Sequence, residues 1–82
     1  MVDVIYQEEF QRTFTKIKHA TLVLRIKNHI QKIMSDPEIG KPVRYSRKNT
    51  REVHIPPFRL MYSYDKEQDV LYIIDLYHKD EQ

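Results

Sequence analysis

The sequence predicts an α+β fold in which a two-helix hairpin packs on a mostly antiparallel sheet, in the order β-α-α-β-β-β-β. Three observations lead there. Apolar residues recur with a helical period between Phe10 and Met34. After Gly40 they alternate with a period of two, as strand residues do. Two helices this short cannot bury their apolar stripes alone and need a sheet beneath them. The 82 residues are expected to form one domain, 1–82, near the lower size limit for a core without disulfide or metal staples.

The first strand is expected in "VDVIY", residues 2–6, which is short, β-branched and aromatic. In "QEEFQRTFTKI", Phe10, Phe14 and Ile17 share one helical face. Glu8 and Glu9 fall in the first turn, where the helix dipole favours acids. "KHAT" interrupts the pattern. A second amphipathic helix then presents Leu22, Val23, Ile26, Ile30, Ile33 and Met34, with Thr21 as its expected N-cap. "SDPEIGKP" ends it, because Pro37 and Gly40 both stop helices.

"PVRYS" is the next expected strand, followed by a turn around Asn49. In "REVHI", Arg51, Val53 and Ile55 point to one side, Glu52 and His54 to the other. Pro56 and Pro57 cannot donate to a ladder, so pairing is expected to be interrupted there. Beyond them Phe58, Leu60, Tyr62 and Tyr64 alternate with Arg59, Met61 and Ser63. "DKEQD" reads as a polar hairpin loop. "VLYIIDLYH" is the most apolar run and is expected to be the central strand, buried on both faces over much of its length.

Composition narrows the function. With no cysteine there is no disulfide framework and no thiolate metal site, which fits a reducing cytoplasm. No apolar run approaches a membrane span, and Asp3 follows the initiator too closely for a signal peptide. The four histidines lack metal-ligand spacing, so no metal and no cofactor is expected; His19 and His29 fall in no motif. The net charge is only +2, yet residues 41–59 carry +5 and the rest of the chain −3. A concentrated basic segment suits a polyanion or an acidic protein partner. It equally suits a solvated edge strand kept from aggregating by its charges.

Four stretches, in this order, resemble the RelE/ParE superfamily of toxin–antitoxin toxins: "FQRTFTKI", "DPEIGKPV", "REVHIPPFRLMYSY" and "IIDLYHKDE". The first resembles the family's first helix, the second its Pro-x-x-Gly-Lys-Pro-Leu link into the sheet. The third resembles its Glu-Leu-Arg-Val-Gly-Asp-Tyr-Arg-Ile-x-Tyr pattern, with Pro56-Pro57 at the Gly-Asp position. The fourth resembles its last strand, Ile-x-x-Ile-x-His-Arg. The resemblance implies a cognate antitoxin partner. It also implies one of two activities: cutting mRNA at the ribosome without a metal, or binding DNA gyrase.

For the nuclease, the resemblance implies that Arg59 contacts the scissile phosphate and that His78 and Lys79 stand at the family's His-Arg pair. Metal-free cleavage needs a base for the 2′-OH, an acid for the leaving 5′ oxygen and cations for the phosphorane. Arg59 and Lys79 can supply charge, and Glu52, His54 and His78 can move protons. Lys41, Arg44, Arg47, Lys48 and Arg51 would carry the RNA backbone. Tyr45, Tyr62 and Tyr77 can stack on bases or simply pack the sheet. Arg59 also admits a structural role as a cross-strand partner of Glu52. Three departures keep open both the gyrase reading and that of a catalytically weakened RNA-binding member: Thr50 and Glu52 replace basic residues of nuclease members, the C-terminal tyrosine of some members has no counterpart, and "KDEQ" is acidic where they are basic.

Overall fold

The computed structural model describes residues 2–43 and 49–78. Its elements are β1 (Asp3–Tyr6), α1 (Glu8–Phe14), α2 (Ala20–Ser35), β2 (Lys41–Pro42), β3 (Thr50–Ile55), β4 (Phe58–Asp65) and β5 (Val70–His78). The strands form one sheet in the order β1-β5-β4-β3-β2. β1 runs parallel to β5, and the other three pairings are antiparallel. The helices cover one face. Phe10 of α1 and Ile26, Ile30 and Ile33 of α2 bury against Ile55, Leu60, Tyr62, Leu71, Ile73 and Leu76 of the sheet. That cluster is the α+β core expected from the two apolar periods.

The helix ends differ from expectation in instructive ways. α1 stops at Phe14, yet Ile17 still packs on the core. Amides of Lys16 and Ile17 bond back to Thr13 and Phe14 carbonyls in tight i→i−3 turns, which extend the apolar face without another α-turn. Thr21 does not cap α2. The cap is His19, whose Nδ1 accepts the Leu22 amide at 3.3 Å. α2 ends at Ser35, because a residue preceding proline is pushed out of the helical region and Asp36 has φ −146° before Pro37. Gly40 takes no part in that ending. It is buried, and its amide donates to the Tyr62 hydroxyl at 2.8 Å.

The two prolines do not interrupt the ladder; they close it. Ile55 pairs with Phe58, so Pro56-Pro57, joined by a cis peptide bond, forms a two-residue hairpin loop where no ladder donor is required. At the next loop Asp65 Oδ1 accepts the Glu67 and Gln68 amides, and Asp69 has φ +55°, a conformation aspartate tolerates. Asn49 likewise has φ +67°, consistent with the turn expected there. β2 is only two residues long; the rest of the expected "PVRYS" strand, from Arg44, lies outside the described residues. β5 is interior, between β1 and β4, while β4 holds the middle position. The register skips Ile74, which buries Ile73 and Ile74 together. Tyr72, Asp75 and Tyr77 of the same strand stay half-exposed on the other face, so β5 is not buried on both sides. Among the described residues, no helix is long and apolar enough to cross a membrane.

Candidate functional site

Strand alternation sorts the polar residues onto the sheet face that the helices leave open. Glu52 and His54 of β3 lie on that face, with Arg59 of β4 and Tyr77 of β5. The Pro56-Pro57 hairpin sets the register that brings them side by side: His54 is opposite Arg59, and Arg59 is opposite Tyr77. Ile55–Phe58 closes the loop with ladder bonds, so His54–Arg59 is the adjacent non-hydrogen-bonded pair, in which side chains approach most closely.

Glu52 joins the group. Arg59 Nη1 donates to its Oε1 at 3.1 Å, and the Tyr77 hydroxyl donates to its Oε2 at 2.7 Å. The Arg59 and Glu52 side chains keep 30% and 23% of their surface, enough for a ligand to reach them. Arg59 Nε is buried and, among the described residues, has no hydrogen-bond partner. Burial, then the hydrogen bond from Tyr77 to Glu52 and the charge of that carboxylate, push the Tyr77 hydroxyl up to about 12; Arg59 opposes this. Tyr77 is therefore a firm donor at neutral pH, and it holds the carboxylate in place for Arg59. The structural pairing of Arg59 with Glu52 is real, and His54, opposite Arg59 on the same face, is exposed.

The other predicted residues are placed differently. His78 is opposite Phe58, not Arg59, and its ring meets the Phe58 ring edge-on at 5.7 Å on the helix-covered side of the sheet. It is thus separated from Arg59 by the thickness of the sheet. Lys41 is exposed and faces Glu52 in register across β2 and β3. Arg51 spends its guanidinium on structure: Nη1 donates to the carbonyls of Glu38 (3.0 Å) and Gly40 (2.7 Å), pinning the link into β2. Tyr62 cannot stack on a base, because it is fully buried; burial raises its hydroxyl, against the lowering effect of the Gly40 amide. Arg44, Tyr45, Arg47, Lys48 and Lys79 lie outside the described residues.

Two features of the site are not legible in the sequence. Tyr77 was visible only as an aromatic, because its bond to Glu52 depends on a register that spans three strands. His29 falls in no sequence motif and Lys32 in none either, yet both line a cleft that also contains Glu52, His54 and Arg59. Their i, i+3 spacing beside buried Ile33 was the available signal.

The family model described as the ParE toxin of type II toxin–antitoxin systems, parDE, matches residues 4–82. No curated protein matches significantly. Among solved structures, the intact RelBE toxin–antitoxin complex of E. coli is 19% identical with a TM-score of 0.82, each chain covered over 100% of its length. The RelBE2 toxin–antitoxin complex of Mycobacterium tuberculosis is 22% identical with a TM-score of 0.78, covering 95% of this chain and 98% of that one. The YoeB/ParE toxin of Agrobacterium tumefaciens is 14% identical with a TM-score of 0.82, covering 94% and 98%. At such identities these structures establish the fold.

Proposed function

The chain belongs to the ParE toxin family of type II toxin–antitoxin systems, and on that premise we propose that it arrests translation as a metal-independent endoribonuclease cutting mRNA at the ribosome. One observation carries the proposal: His54 and Arg59 are close cross-strand partners on the open sheet face. A guanidinium there can grip two phosphate oxygens and stabilise the charge that builds on phosphorus as the 2′-OH attacks. The adjacent imidazole can take the proton from that hydroxyl. Glu52, held by Arg59 and Tyr77, orients the guanidinium and is the alternative base once the phosphate displaces it. Lys41 extends the positive charge along the edge of the same face.

The partner follows from the same surface. Several of the matched structures are toxin–antitoxin complexes, and the basic balance of residues 41–59 suits an acidic segment that folds on contact. We assign an antitoxin to this chain, docked so that it covers Arg59 or its neighbours and competes with RNA.

A second reading has its own support. Glu52 offsets the Arg59 charge, and His78 lies on the opposite face, so the family's arginine and histidine are not gathered as a nuclease would have them. A toxin of the same fold that binds DNA gyrase fits that arrangement. A reconstituted translation system separates the two. The nuclease reading expects mRNA cuts at the ribosomal A site, slowed about 10²- to 10³-fold by Arg59→Ala, the size of effect seen when one charge-stabilising donor is removed. Arrest with intact mRNA would rule it out. Inhibition of gyrase supercoiling at stoichiometric toxin, with translation unaffected, would establish the second reading.

A further inference from the structure

Among the described residues, β2 pairs with β3 at Lys41–Glu52 and Pro42–Arg51. The outer edge of β3 beyond Glu52 therefore carries no strand among the described residues. α2 faces this edge, and a cleft of about 330 Å³ lies between them. Its size is at the low end for small-molecule cavities, suited to a single nucleotide and too small for a helix.

The cleft is built from two directions. α2 contributes His29 and Lys32, one turn apart on the same side of the helix; the sheet contributes Lys41, His54 and Arg59. Glu52 is the one acid among its lining residues, and Ile33, Ile39 and Val53 give it an apolar floor. His29 has a defined orientation. Its Nδ1 lies 2.9 Å from the Arg25 carbonyl, which can only accept, so Nδ1 carries a proton. That leaves Nε2 as the ring nitrogen available to a ligand. Cations around an apolar floor suit a ribose and base resting on hydrocarbon with the phosphate held at the rim. The cleft is also continuous with the open face, since His54 and Arg59 belong to both.

We propose that this cleft binds the nucleotide adjacent to the phosphate held at Arg59, with Lys32 of α2 contacting its phosphate across the outer edge of β3 and His29 Nε2 accepting a hydrogen bond from an amino group of its base. The inference rests on the reading of Arg59 as an RNA phosphate ligand. It adds a helix-borne subsite that steers the strand off the sheet face and around its edge. An acidic protein segment is the competing occupant, and the experiment decides between them.

The probe is a fluorescein-labelled hexaribonucleotide with every 2′ oxygen methylated, which cannot be cleaved, so the result does not depend on nuclease activity. Binding is followed by anisotropy over a range of salt concentrations. Lys32→Ala and His29→Ala are each expected to weaken binding about 3- to 10-fold. Lys32→Ala should also reduce the slope of log K against log salt by about 0.7, one single-strand phosphate contact. Lys27→Ala is the charge-matched control on the same helix, because Lys27 lines a different groove beside Phe10 and Phe14; its effect should stay within twofold. Equal losses for Lys27→Ala and Lys32→Ala would mean diffuse attraction and would overturn the subsite. Native RNA affinity in Lys32→Ala and His29→Ala would also overturn it, and weakened antitoxin binding by the same variants would then assign the cleft to the protein partner. If mRNA cuts are never found but Lys32→Ala still lowers affinity and slope, the subsite stands and the nuclease reading alone fails.

Discussion

Replacing Gly40 by alanine tests how the link into β2 is locked to the sheet. A Cβ at this position would sit 2.7 Å from the Tyr62 hydroxyl oxygen, 2.9 Å from Tyr62 Cε1 and 2.9 Å from the Glu52 carbonyl oxygen. None of these neighbours can yield easily. Tyr62 is fully buried in the core, and the Glu52 carbonyl belongs to a strand paired on both sides. Forcing atoms into such a site costs about 1–3 kcal/mol. Moving Tyr62 also breaks the Gly40 N–H to Tyr62 hydroxyl bond at 2.8 Å, worth about 1 kcal/mol more. The total is about 2–4 kcal/mol, and at roughly 4–8 °C per kcal/mol for a domain of this size the melting midpoint should fall by roughly 10–30 °C. Differential scanning calorimetry measures it directly. The double variant Gly40→Ala/Tyr62→Phe removes the nearest clashing atom, so its loss should be smaller than the sum of the two single losses by about 1 kcal/mol or more. A Gly40→Ala protein that melts within about 2 °C of the parent, or strictly additive losses, would refute the packing argument.

Three further outcomes are expected. The Tyr77 hydroxyl titrates near 12, above the ordinary value of 10, chiefly through burial and then through Glu52; its bond to Glu52 therefore contributes fully below pH 10 and is lost as pH rises from 10 toward 12. Ultraviolet titration should show that high component vanish in Tyr77→Phe, and an unchanged curve would show that another tyrosine carries it. Glu52→Gln frees Arg59 from its carboxylate, so affinity for the non-cleavable RNA should rise about fivefold, the ~1 kcal/mol of a screened ion pair; a fall in affinity would mean that Glu52 orients Arg59 more than it competes with RNA. Antitoxin affinity should fall with rising salt, but less steeply than RNA affinity, because its apolar contacts are not screened; a steeper fall than for RNA would point to a purely electrostatic dock.

Local patterns made much of this fold legible. The bounds expected for β5 are those observed, because its apolar run is flanked by polar residues on both sides. The stripe Ile26, Ile30, Ile33 named the buried face of α2, because helical period leaves little choice of face. What failed were features settled by tertiary contact. His19 took the capping role that propensity gave to Thr21, since a histidine nitrogen can accept a backbone amide when the chain places it there. Pro56-Pro57 looked like a break and is a hairpin, because each proline's missing donor falls in the loop, outside the ladder. The site was half legible. Arg59 beside Glu52 and His54 follows from alternation and a tight turn. His78 was grouped with Arg59 by its motif, yet a one-residue step along β5 puts it on the other face and sets Tyr77 beside Arg59 in its place.

The chemistry of the cut ends tests the central claim most directly. Attack by the 2′-OH leaves a 2′,3′-cyclic phosphate upstream and a 5′-OH downstream, with no other product possible in the first step. mRNA recovered from a translation system arrested by this protein should carry those ends at A-site codons. A single 2′-deoxy substitution at the cleaved nucleotide should abolish the cut, as should the presence of the antitoxin. Full arrest with uncut mRNA, or ends bearing a 3′-OH and a 5′-phosphate, would contradict the assignment of Arg59 and His54 to phosphate-centred cleavage by the neighbouring hydroxyl.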